Sequence, residues 1–300
     1  MPFSHAPQRQ RIEPVLHLQH ARGERVGGVV AAHRDALLRD DGAIVQFRRD
    51  EMNRGAVLRR SFVPTNINLL ENTRPFLAYL EEWYNTLAPL ALDEIIVGAP
   101  ERVALISIDV INGFCKSGPL ASERVGRIAQ PIADLFQRAH DLGVRNLVLT
   151  QDTHDPTTPE FLAYPPHCLR GTAESEAVDE LKALPFYADI AIFPKNSINS
   201  HLHTGLGAWL RERPQIDRFV VVGDCSDLCT YQAAMQLRLE ANAANLARRV
   251  IVPADVVDTF DTPVAVAREL GIKAHDGDLH HVLFLHHMAS NGVEVVSALT

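Results

Sequence analysis

The chain has 300 residues, 46% of them hydrophobic and 22% charged, with a formal net charge of −8. That length accommodates one large domain or a domain with an extension, and the apolar fraction fills a sizeable core. The acidic balance argues against a nucleic-acid binder, no apolar run approaches a membrane span, and the N-terminus lacks the apolar stretch of a secretory signal. Cys115, Cys168, Cys225 and Cys229 are irregularly spaced, which reads as reduced thiols in a cytoplasmic protein.

Residues 1–60 are rich in Arg, His, Gln and Gly, and their apolar runs are short. The first dozen residues read as disordered. A short helix is expected over Arg34–Leu38 and a strand over Gly42–Phe47. The basic cluster Arg48, Arg49, Arg54, Arg59 and Arg60 reads as a solvated surface, with a binding patch as the alternative. Further on, Phe76, Leu77, Leu80, Trp83, Tyr84 and Leu87 recur at helical spacing, with Pro75 suited to a first turn. An amphipathic helix is expected there, its aromatic stripe packed on the rest of the protein or on a neighbouring subunit.

Beyond Pro100, strands and helices alternate. Strands are expected over 103–109, 146–150, 188–193, 219–222, 249–252 and 292–298. Helices are expected over 125–142, 203–211, 230–246, 263–270 and 279–291. Such alternation predicts an α/β fold, a three-layer α/β/α arrangement around a mostly parallel, Rossmann-like sheet. The expected division is an extension over 1–98, containing the amphipathic helix, and an α/β domain over 99–300.

Three strand ends carry chemistry. The first ends in Asp109, the third leads to Lys195, and the fourth runs through Val220-Val221-Val222-Gly223-Asp224-Cys225 to Cys229 at a helix start. In a parallel sheet these ends share one edge, where α/β folds bind ligands. A helix N-terminus and a nearby ammonium favour a thiolate, and a carboxylate can take up and return its proton. A buried inert cysteine, a capping aspartate and a surface lysine are the plainer alternatives. Their coincidence at three strand ends favours catalysis.

The loop after the second strand is unusually long. It carries Asp152 and His154, then Glu160, Tyr164 and His167. A mixed N/O donor set of this kind suits zinc, manganese or iron. Gly205-Leu206-Gly207 lacks the third glycine of a dinucleotide site, and no P-loop is present.

Taken in order, Asp109 with Asn112 and Phe114, Asp152-x-His154, Tyr164-Pro-Pro-His167-Cys168, Lys195 and Gly223 to Cys229 resemble the isochorismatase-like cysteine hydrolases, and among them the nicotinamidases. The resemblance covers about Arg102 to Thr300. It implies a triad of Cys229, Asp109 and Lys195 that hydrolyses a small amide through a thioester. It implies an oxyanion hole from the backbone N–H groups of Cys225 and Cys229, with a cis peptide at Asp224–Cys225. It implies a divalent ion on Asp152, His154 and His167, with Glu160 as a fourth ligand, and a pyridine ring between Phe114 and Tyr164. A homo-oligomer is expected. The chain departs from the family pattern at Tyr164 and Thr153, where tryptophan is usual, at Gly113, where aspartate is common, and at Asp224 and Cys225. Another small amide or carbamoyl substrate, isochorismate, or an idle binding protein are the competing readings.

Overall fold

The computed structural model describes residues 67–300. The helix over Arg34–Leu38, the strand over Gly42–Phe47 and the basic cluster lie outside the described residues. The described residues lie within one compact unit.

The first described elements are helices α1 (Leu69–Asn72), α2 (Arg74–Asn85) and α3 (Leu92–Ile96). Pro75 sits in the first turn of α2, where its missing N–H costs nothing. The expected stripe is packed only over its C-terminal part, and Phe76 and Leu77 at its start are exposed. Leu80 is buried, and Trp83, Tyr84 and Leu87 pack against the core.

The remaining elements alternate: β1 (Val103–Ile108), α4 (Asn112–Cys115), α5 (Glu123–Gly126), α6 (Ala129–Asp141), β2 (Asn146–Asp152), α7 (Asp179–Lys182), β3 (Ala191–Lys195), α8 (Leu206–Arg211), β4 (Arg218–Asp224), α9 (Cys229–Ala243), β5 (Arg249–Pro253), β6 (Val257–Asp258), α10 (Val264–Leu270), α11 (Gly277–Ser290) and β7 (Glu294–Val296). They build a seven-stranded sheet in the order β3-β2-β1-β4-β5-β7, with β6 paired to β4. Every pairing is parallel. The α/β architecture is therefore as expected.

Both faces of the sheet are covered, which is why its strands read as unbroken apolar runs. In β1, Val103 and Leu105 face one core with Ile132 and Phe136 of α6. Ala104, Ile106 and Ile108 face the other, with Leu237 of α9 and Leu285 of α11.

Several boundaries differ from expectation for local reasons. The single helix expected over 125–142 is broken into α5 and α6. Pro131 supplies no N–H and crowds the carbonyl four residues back, so it is accommodated in the first turn of a new helix. The third strand starts at Ala191 and runs to Lys195, through Pro194. It tolerates proline because it is the edge strand of the sheet. Helix α8 begins only at Leu206, because His203 takes a left-handed conformation at φ 56°.

The core also reaches upstream of β1. Ile95 is fully buried, and Leu92 and Ile96 join the same cluster as α6. Arg218 Nη1 donates to the Ile95 and Ile96 carbonyls at 2.7 and 2.8 Å. Leu92 N donates to Thr300 O at 2.8 Å, tying this segment to the C-terminus.

Candidate active site and metal centre

The carboxyl edge of the sheet gathers the three strand-end residues. Asp109 follows β1 at φ 54°, a left-handed position that turns the chain sharply out of the strand. Its Oδ1 accepts from the Asp152 backbone N–H at 2.9 Å. Lys195 closes β3, and its side chain is wholly buried. Its Nζ lies 2.8 Å from Asp109 Oδ2, 2.7 Å from Asp152 Oδ1 and 3.5 Å from Cys229 Sγ. Cys229 opens α9, and its thiol shares Lys195 with the Asp109 carboxylate.

Gly223 makes this convergence possible. It pairs with Ile108 at φ 108°, and a Cβ there would lie 2.0 Å from the Ile108 carbonyl oxygen. Only glycine lets β4 pass so close to β1 while adopting that backbone. The Asp224–Cys225 peptide is cis, in keeping with the resemblance. Among the described residues, neither the Cys225 nor the Cys229 backbone N–H has a hydrogen-bond partner.

Charge in this pocket is decided by burial against pairing. Burial works against the Lys195 ammonium, but Asp109 and Asp152 outweigh it and hold its pKa well above that of an ordinary lysine. Burial pushes Asp109 up to about 6, with Lys195 opposing. Burial likewise acts against the Asp152 charge, yet Lys195, His154 and His167 hold that carboxyl well below the usual range. Burial raises Cys229 well above a free thiol, against the pull of Lys195. Burial and the Lys195 ammonium thus act on the Cys229 proton in opposite directions.

Asp152 ends β2, one residue from Thr153 and two from His154. The long loop returns through a parallel bridge between His154 and Leu169, which brings His167 back beside its start. One donor atom from each of Asp152, His154, Glu160 and His167 lies within 4.8 Å of the others. His154 Nε2 is 3.1 Å from Asp152 Oδ2 and 3.7 Å from Glu160 Oε1, and His167 Nε2 is 3.5 Å from Asp152 Oδ2.

The histidine tautomers follow from their other nitrogens. His167 Nδ1 faces the Pro165 carbonyl at 2.8 Å, so it carries the N–H. His154 Nδ1 faces Asn196 Oδ1 at 3.0 Å, and the same oxygen already accepts from Asp155 N. Both histidines therefore turn an Nε2 lone pair toward carboxylate oxygens. Lone pairs meeting carboxylates need a cation between them, and this backing of each Nδ1 is how metal-ligating histidines are held. The four residues fit a divalent ion.

Phe114, in α4, is buried with its ring 5.7 Å from that of His167. Tyr164 is half-buried, 6.2 Å from the same ring. Both expected aromatic residues thus flank the metal cluster. Burial raises the Tyr164 hydroxyl, with Glu160, Cys225 and Cys229 adding to it.

Three contributions were not foreseen from sequence. Phe161 packs its ring 5.4 Å from His154 and 5.6 Å from His167. Asn196 orients His154, and its place right after Lys195 is the signal that would have found it. Asp152 serves both clusters, one oxygen on Lys195 and the other toward the histidines. The departures also gain reasons. A Cβ at Gly113 would lie 2.4 Å from Cys168 Sγ, so glycine goes with the cysteine. Asp224 is buried beside Asp109, and burial, with the Asp109 charge adding to it, raises its pKa well above that of an ordinary carboxyl.

Residues 103–298 match the Isochorismatase domain family. The chain is 32% identical over 224 residues to nicotinamidase 1 of Arabidopsis thaliana, covering 69% of this chain and 91% of that protein. It is 33% identical over 183 residues to the nicotinamidase/pyrazinamidase of Mycobacterium tuberculosis, covering 56% of this chain and 93% of the relative. The pyrazinamidase of Pyrococcus horikoshii, solved in complex with zinc, shares the fold at a TM-score of 0.51 and 21% identity, covering 65% of this chain and 98% of that one. With the family matched across most of the α/β unit and its strand-end residues assembled at one edge, the chain belongs to the isochorismatase-like hydrolases.

Proposed function

We propose that the protein is a nicotinamidase, hydrolysing nicotinamide to nicotinate and ammonia. The carrying observation is that one buried ammonium, Lys195, touches the Cys229 thiol and a carboxylate of the metal cluster together. An amide carbon at the thiol and a ring nitrogen at the cluster then belong to one small substrate. The two curated relatives support the same reading.

In this reading Asp109 takes the Cys229 proton as sulfur attacks the amide carbonyl, and a C–S bond forms. The free N–H groups of Cys225 and Cys229 receive the developing oxyanion; such donors are worth about 3–4 kcal/mol each. Asp109 then delivers the proton to the amide nitrogen, the C–N bond breaks and ammonia leaves. Water, losing a proton to Asp109, opens the thioester, and the proton returns to sulfur. Lys195 keeps its charge throughout and holds both carboxylates in place. Phe114 and Tyr164 bound the ring. Asp152, His154 and His167, with Glu160, would hold a divalent ion, which would supply Lewis acidity toward a pyridine nitrogen, and zinc, manganese or iron suits the donor set.

An ammonia-release screen over small amides, with and without chelator, tests this. Nicotinamide should be the best substrate, chelation should cut its turnover at least about tenfold, and Cys229→Ala should abolish it while still binding the amide. Faster turnover of an acyclic amide or carbamoyl compound, insensitive to chelation, would move the assignment to another branch of the family. The smaller Tyr164 wall is the feature that would favour such a branch.

A further inference from the structure

We propose that Asp227, His275 and His280 form a second divalent-metal site, separate from the cluster beside Lys195. Asp227 lies in the loop between β4 and Cys229 and is buried. His275 precedes α11, and His280 lies in its first turn. One donor atom from each of the three lies within 4.8 Å of the others.

The hydrogen bonds around these residues repeat the signature of the first cluster. His275 Nδ1 lies 2.9 Å from the Phe260 carbonyl, and His280 Nδ1 lies 2.7 Å from the Asp276 carbonyl. Carbonyl oxygens only accept, so both Nδ1 atoms carry hydrogen, and in the neutral rings both Nε2 atoms keep lone pairs. His275 Nε2 is 2.8 Å from Asp227 Oδ2, itself an acceptor. The Thr259 hydroxyl donates to the other oxygen, Asp227 Oδ1, at 2.6 Å and fixes the carboxylate. Between Asp227 and His275 there must therefore be a proton on Nε2, as the 2.8 Å contact allows, or a metal ion. A proton satisfies one lone pair. The third donor, from His280, gives a divalent ion three ligands and leaves a lone proton with none to spare for it.

The rings are packed together as well. His275 stacks on His280 at 3.9 Å between centroids, and on Phe260 at 4.0 Å. Competition from nearby charge is limited. Arg124, one of the cations in this region, is occupied by Asp258 and Asp278. Two imidazoles and one carboxylate select a zinc-like ion with water in its remaining position, and disfavour calcium or magnesium. Such an ion ties the loop carrying Cys225 and Cys229 to the start of α11, which places it as a positioning element and gives it no step in the chemistry. The site is independent of which amide is the substrate.

The test counts zinc on the untagged full chain after chelator stripping and dialysis against zinc, by elemental analysis and calorimetry. Wild type should hold one more tight equivalent than His280→Ala or Asp227→Asn, each checked for folding by circular dichroism. Surface His203→Ala should match wild type. His167→Ala should lose a different equivalent, so that His167→Ala with His280→Ala loses two. Zinc should raise the Tm of His167→Ala and leave that of the double variant unmoved. If His280→Ala and Asp227→Asn hold as much zinc as wild type, the three residues are a proton-held Asp227–His275 pair and the proposal fails.

Discussion

Asp152 carries more of the pocket than its position suggests. One of its oxygens accepts from Lys195 and the other faces His154 and His167. Asp152→Asn removes a charge from both, leaving Lys195 opposite a single carboxylate. We expect zinc affinity to fall by more than about 100-fold and kcat/KM by at least as much, whereas Glu160→Gln, half-buried and 3.7 Å from its histidine, should cost about tenfold in affinity. Zinc titration beside steady-state kinetics separates the two. Equal losses in both variants would mean that the carboxylates are interchangeable. Tyr164 works differently. Stacking binds substrate and transition state about equally, so Tyr164→Ala should raise KM for nicotinamide about tenfold with a smaller change in kcat. An unchanged KM would mean that the ring is not held there.

At the level of elements, β4 is the strand that the edge depends on. Its approach to β1 at Gly223 leaves no room for a methyl group, the nearest atom being backbone. Backbone cannot rotate away as a flexible side chain can, and φ 108° disfavours any L side chain. Gly223→Ala should therefore destabilise the protein by at least about 3 kcal/mol, read as a Tm drop or loss of soluble protein. Gly271→Ala serves as the comparison. It also has a positive φ, but no atom lies within 4 Å of its added Cβ, so its effect should be near about 1 kcal/mol. Similar losses at both sites would show that backbone conformation, not the contact with Ile108, sets the cost.

For the whole molecule, the segment before β1 belongs to the core in energetic terms. Leu92, Ile95 and Ile96 are buried, and each such side chain contributes about 1.5–3 kcal/mol. A chain beginning at Pro100 loses them, together with the hydrogen bonds to Ala298, Thr300 and Arg218. We expect it to be at least about 5 kcal/mol less stable than one beginning at Leu87, measured by urea denaturation. Equal stability would make the segment an appendage. The stripe on α2 is a second link. Trp83 meets His286 of α11 edge-on at 5.1 Å, and Tyr84 Oη lies 3.2 Å from His281 Nε2.

The architecture was legible in sequence because buried parallel strands write themselves as apolar runs, and helices between them as a 3.6-residue period. Asp109, Lys195 and Cys229 were legible for the same reason: a parallel sheet sends successive strand ends to one edge. Element boundaries were less so where a single residue overrode the period, as Pro131 did between α5 and α6. Short-range patterns carry no information on what meets across the edge. That Asp152 joins the lysine to the metal cluster, that Asn196 sets the His154 tautomer, and that Asp227 meets His275 were decided by tertiary structure alone. These pairs lie far apart in the chain, and only the sheet order and the return of the long loop bring them within hydrogen-bond distance. The balance at Cys229 was decided there too, since burial, which sequence does not report, raises its pKa against the pull of Lys195.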